Sequence, residues 1–224
     1  MKVLMAVTGL CLIGFLLMHM YGNLKVFMGP EAFNHYAHWL KFDPDPSDGI
    51  DVILYPLIPN GWFIWLFRAF MLAAIVLHMW SAITLWNRAN EARGTKYVVK
   101  KTLEQTYSAR TMRWGGVILA GFLLFHLLQF TALMVTPGFS ANATPYEAVV
   151  GSFRLWWVVL AYALWMITVT MHVRHGFWSA FTTLGANTSA KAREVLNACA
   201  WVIAILLYVG FMIMPIAVLM RWVN

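Results

Sequence analysis

The sequence predicts an all-α membrane protein of five transmembrane helices in one bundle. Three observations predict it. The chain of 224 residues is 61% hydrophobic and only 11% charged, with a mean hydropathy of +0.68, more apolar surface than a soluble domain of this length can bury. Five stretches reach the ~20 residues that a helix needs to cross a hydrocarbon core of ~30 Å. The charged residues fall almost entirely between those stretches.

The first span covers about 3–21 and follows Lys2. A lysine before an apolar run also begins a signal peptide, but no A-x-A-like cleavage site follows, so the segment reads as a helix. The loop of about 22–60 is acidic, with Glu31, Asp43, Asp45, Asp48 and Asp51 against Lys25 and Lys41. Its Asp43-Pro44-Asp45-Pro46 run predicts turns and short helices packed on the outer surface. The second span covers about 61–86 and holds Arg68, the one charge well inside a span. The next loop is basic: Arg88, Arg93, Lys96, Lys100, Lys101, Arg110 and Arg113 against Glu91 and Glu104. The third span is about 114–135, and the loop after it carries only Glu147 and Arg154. The fourth span is about 155–173. Arg174, Lys191 and Arg193 against Glu194 follow it, and the fifth span is about 196–220. The positive-inside rule puts the two basic loops in the cytoplasm, with the N-terminus inside and the C-terminus outside.

The net charge of +7 therefore reads as topology and not as a nucleic-acid surface. The twelve tryptophans, among them Trp62, Trp65, Trp114 and Trp222, read as interfacial anchors. Cys11 and Cys199 lie in apolar segments without CxxC spacing, so they read as inert thiols and place no iron–sulfur cluster on this chain. No soluble domain and no internal repeat stands out.

Four of the seven histidines sit in four different spans: His19, His78, His126 and His172. An imidazole in hydrocarbon costs free energy and needs a reason. A helix rises ~1.5 Å per residue, so each depth follows from its span's start. His19 lies ~24 Å and His126 ~18–20 Å along helices that enter from inside, which places both in the outer half. His78 lies ~25 Å and His172 ~26 Å along helices that enter from outside, which places both in the inner half. For a single such residue a packed, hydrogen-bonded interior histidine is the ordinary alternative. Two histidines at each of two levels point instead to axial ligands of two b haems. The outer haem would sit between His19 and His126, and the inner between His78 and His172. Two imidazoles fill both axial positions of an iron, which leaves electron transfer as the expected chemistry.

Several further residues carry more than one reading. Arg68, ~10 Å from the outer end of its helix, suits a haem propionate or snorkels to the interface. Gly14, Gly22, Ala73, Ala74 and Gly121 would admit a macrocycle or serve helix packing. His175 stands one turn beyond His172, as an alternative ligand, a propionate partner or a quinone contact. His35 and His38 fall in the outer loop and read as solvated.

Several segments resemble one family. Gly9–Tyr36 (GLCLIGFLLMHMYGNLKVFMGPEAFNHY) is similar to the first helix and following loop of the cytochrome b558 subunit of succinate dehydrogenases. So are RAFMLAAIVLH (68–78), SARTMRWGG (108–116), FHLLQFT (125–131) and HVRHGFWSAFTTLG (172–185). The resemblance covers nearly the whole chain. It implies a single-chain, five-helix, dihaem anchor that docks a flavoprotein and an iron–sulfur protein on the cytoplasmic side of a bacterial membrane. The assembly would couple succinate oxidation, or fumarate reduction, to a quinone, with menaquinone suggested by the dihaem type. The family's ligand positions fall on His19, His78, His126 and His172, and its spacing favours His172 over His175. Two haems at two depths suggest a quinone site near the outer face, where Asp51 or Glu31 could exchange protons. The alternatives are the dihaem b subunit of a membrane nitrate reductase, whose ligands come two to a helix, a proton-coupled transporter, whose helices carry buried acids, and a haem-free anchor.

Overall fold

The computed structural model describes residues 1–41, 62–92 and 107–224. The described residues form helices and no strand: α1 (Lys2–Leu24), α2 (Pro30–Lys41), α3 (Trp62–Glu91), α4 (Tyr107–Phe130), α5 (Pro145–Phe153), α6 (Trp156–Thr183) and α7 (Ala190–Leu219), with a short 3-10 turn at Lys25–Met28. Five of them, α1, α3, α4, α6 and α7, are long and apolar enough to cross a membrane. The chain is an all-α, multi-pass membrane protein.

The helix ends differ from the expected spans for a physical reason. Hydropathy marks where hydrocarbon stops, whereas a helix runs on until something caps it. α6 continues ten residues past the expected end at 173. It stops where Gly185 adopts φ 90°, the Gly185 N–H donates to the Thr182 carbonyl at 3.1 Å and the Ala186 N–H donates to that of Phe181 at 2.9 Å, a Schellman end. Ser189 then caps α7, its hydroxyl accepting from the Ala192 N–H, so α7 starts six residues before 196. α4 instead stops at Phe130, short of 135. There the Leu127 carbonyl accepts from both Thr131 and Ala132, and Leu133 turns to φ 54°.

α6 is central and packs on α7, α4 and α1, while α1 also packs on α3 and α7. Leu207, Val158, Ala200 and Ala204 are fully or almost fully buried along these seams. Gly210 lets the Met20 side chain press on the α7 backbone. Large apolar side chains such as Trp65, Val76, Val202 and Val209 face outward, as lipid-facing surfaces require.

One end of the bundle is capped. The expected short helices of the first loop are present as the 3-10 turn and α2. α5 was not expected. It begins with a capping box in which the Glu147 N–H donates to the Thr144 hydroxyl while the Glu147 carboxylate accepts from the Thr144 N–H at 2.8 Å. The Tyr146 N–H donates to Asn34 Oδ1 of α2 at 3.0 Å, and its hydroxyl donates to the Asn224 carbonyl at 2.9 Å. α2, α5 and the C-terminus thus lock together over the ends of α1, α4 and α7.

Candidate functional site

Four helices deliver four histidines to two places. Near the capped end, His19 of α1 and His126 of α4 face each other with ring centres 5.9 Å apart and planes at 84°. Toward the other end, His78 of α3 and His172 of α6 face each other at 6.3 Å and 65°. Thr8 of α1 contacts His78, and His19 lies eleven residues further along the same helix, so the two pairs are separated by roughly 16 Å along its axis.

Aromatic rings enclose the first pair. Phe15 stacks on His19 at 5.3 Å and also meets Phe67 of α3, while Phe211 of α7 approaches His19 at 5.8 Å. Phe130, Tyr162 and Trp165 surround His126 at 5.5, 6.0 and 5.8 Å. These rings leave both imidazoles only partly exposed, and hydrogen bonds orient His126 and His78.

Those bonds decide which nitrogen carries the proton. His126 Nδ1 lies 3.0 Å from the Tyr162 hydroxyl, which donates to Gln129 Oε1 at 2.8 Å. A hydroxyl has one proton to give, so Tyr162 must accept from His126 Nδ1–H. The second pair repeats the logic. The Thr8 hydroxyl donates to the Leu4 carbonyl at 2.8 Å and so accepts from His78 Nδ1–H at 3.2 Å. In each pair one imidazole therefore presents an unprotonated Nε2, the form that binds a metal.

The residues fit a b-type haem. Two imidazole nitrogens on opposite sides of one metal, each at about 2.0–2.1 Å, put the ring centres about 6 Å apart, which is the spacing of both pairs. Among the described residues no group of three or more His, Cys, Asp or Glu could enclose an ion. Pairs of this kind suit a metal that brings its other ligands in a macrocycle. Neither α1 with α4 nor α3 with α6 is among the closely packed helix pairs, so each histidine pair joins helices that are not tightly packed on each other. Buried polar atoms without a described partner remain at both places: Trp165 Nε1 at the first, His172 Nδ1 and Ser81 Oγ at the second.

The other expected residues are placed as follows. Arg68 is exposed, with its guanidinium over the Trp65 ring at 4.9 Å. His175 is partly buried one turn past His172, and the ring facing His78 is that of His172. Glu31 is exposed in the first turn of α2, which also carries His35 and His38 on exposed positions. Asp51 lies outside the described residues. Of the small residues, Gly14 and Gly121 face open space, whereas Gly22 is occupied by the Tyr36 ring, where a Cβ would lie 2.8 Å from Cε1.

No protein-family model, curated protein or solved structure matches the chain.

Three features escaped the sequence reading. Gly9 lies against His78, and a Cβ there would come within 3.2 Å of the ring. Tyr162 and Gln129 hold His126, and a glutamine inside an apolar span was the available signal. The hexapeptide GFLLMH of 14–19 recurs as GFLLFH at 121–126. That short likeness places a histidine near the same end of α1 and α4.

Proposed function

We propose that this chain is the dihaem cytochrome b anchor of a succinate:quinone oxidoreductase in a bacterial cytoplasmic membrane. The observation that carries the proposal is the pairing of four histidines from four helices at two separate levels, each pair spaced for one metal. Two b haems, held by His19 with His126 and by His78 with His172, would supply one-electron transfer when bound. The four histidines would hold the irons, Tyr162 and Thr8 fix imidazole tautomers, and Phe15, Phe130, Trp165 and Phe211 line the first pair. In this reading the N-terminus and the basic loop of 88–113 face the cytoplasm, and the capped end faces outward. The second pair then adjoins an iron–sulfur subunit that is itself joined to a flavoprotein, and the first pair adjoins the outer leaflet, with menaquinone as the expected quinone.

Other readings are less favoured. A nitrate-reductase type of b subunit draws two ligands from each of two helices, and here each helix supplies one. A proton-coupled transporter needs acids midway through its spans, whereas the described acids lie in α2 and α5 (Glu31, Glu147) or near the ends of α3 and α7 (Glu91, Glu194). The test is purification of the complex from its native membrane. Low-spin b spectra with a co-purifying flavoprotein that oxidises succinate with a soluble dye support the proposal. A haem-free preparation, or a partner with no succinate activity, overturns it.

A further inference from the structure

A chain of hydrogen bonds, buried in its middle, leads from His126 to the cap, and its direction is set at the far end. The Pro137 carbonyl can only accept, and it takes the Ser152 hydroxyl proton at 3.1 Å. Ser152 must then accept from Gln129 Nε2, which it does at 3.0 Å. That orientation turns Gln129 Oε1 toward Tyr162, and a carbonyl oxygen can only accept. Tyr162 therefore gives its proton to Gln129 at 2.8 Å and accepts from His126 Nδ1–H at 3.0 Å. Gln129 and Ser152 are completely buried and Tyr162 nearly so, so the two middle links, Tyr162 to Gln129 and Gln129 to Ser152, are shielded from water.

The cap is built to hold this end still. Gly138 and Gly151, the neighbours of Pro137 and Ser152, pack backbone on backbone, and a Cβ on either would collide with the other's carbonyl. Gly138 also has φ 81°, a conformation that suits glycine. At the second pair, among the described residues, the hydrogen bonding from the imidazole runs no further than one side chain. The Thr8 hydroxyl is tied to a carbonyl of its own helix, and His172 Nδ1 has no partner among the described residues.

We propose that Ser152, Gln129 and Tyr162 form a polarised positioning relay that fixes His126 as its Nδ1–H tautomer and makes its Nε2 the more basic ligand nitrogen. The inference rests on the haem reading of the first pair. An imidazole that donates from Nδ1 pushes electron density to Nε2 and favours the oxidised iron. Links that polarise one another strengthen the effect. The relay thus holds the potential of the first site down and leaves the second untouched, and it makes Tyr162, Gln129 and Ser152 positioning residues and not ligands.

The experiment is a redox titration of the purified complex, followed by visible spectra, for the natural chain and for Tyr162→Phe and Ser152→Ala. Tyr162→Phe should retain both haems and raise one midpoint potential, by an amount corresponding to roughly a tenfold change in the oxidation equilibrium, ~59 mV for a one-electron couple. Ser152→Ala should raise the same potential by less, and it decides the matter if Tyr162→Phe does not assemble. Two unmoved potentials, or equal movement of both, would overturn the relay. Nitrogen NMR of 15N-histidine-labelled chain prepared without haem reads the tautomer directly. Nδ1–H at His126 supports the relay and Nε2–H overturns it. A natural chain that holds no haem defeats the functional proposal instead, and the NMR result still judges the relay.

Discussion

Gly9 of α1 lies flat against His78 of α3, leaving only 3.2 Å between the His78 ring and the position a Cβ would take. A side chain there must move the imidazole or part the two helices. Gly9→Val should therefore lose the haem of the second pair and keep that of the first, giving one haem per chain. Gly115→Ala, whose Cβ would meet only the Thr168 methyl at 3.6 Å, should keep both. Pyridine haemochrome analysis of the two variants checks this.

The histidines themselves give the sharpest separation. His126→Ala should remove the haem of the first pair alone, and His172→Ala that of the second alone. His175→Ala should leave both, since the ring facing His78 belongs to His172. Loss of a haem in His175→Ala together with two haems in His172→Ala would show that the second pair is wrongly assigned.

The glycine contact in the cap should be intolerant of any side chain. Gly151→Ala forces the new methyl onto the Gly138 carbonyl, and backbone displacement of this kind costs of order 1–3 kcal/mol. Thermal unfolding in detergent should show the loss, with the strongest local effect at Ser152 and Pro137. The related change at the exposed Gly14, where a Cβ meets nothing, should cost far less.

The start of α5 should loosen in acid. The Glu147 carboxyl is held below the ordinary glutamate value of 4.5, first by the Thr144 N–H and then by the Thr144 hydroxyl. A carboxyl whose folded pKa is depressed contributes stability that is present above its unfolded value and lost as pH falls through the folded one. Hydrogen exchange over 144–148, corrected for its intrinsic pH dependence, should therefore rise below about pH 4.5. Glu147→Gln should flatten that rise.

The pairing of histidines was legible because helix rise is constant. Counting residues from each membrane boundary was enough to put His19 level with His126 and His78 level with His172. The boundaries were poorer, because α6 runs through Arg174 and His175 to its Gly185 stop and apolarity says nothing of that cap. α5 was readable in Thr144-Pro145-Tyr146-Glu147, a capping box with proline at the first helical position. The relay was not readable as a relay. Tyr162 and Gln129 come from different helices thirty-three residues apart, and only packing on α6 reveals that they meet. Arg68 shows the limit of depth alone: depth places a charge at a level, but its direction around the helix sets its partner, which here is Trp65.

The most direct measurement is the optical spectrum of the purified chain, oxidised and dithionite-reduced, with iron and protein counted on the same sample. The proposed haem ligation predicts two low-spin b haems per chain and no spectral change with carbon monoxide. A single haem, a high-spin component that binds carbon monoxide, or a chain that holds no haem would contradict the account.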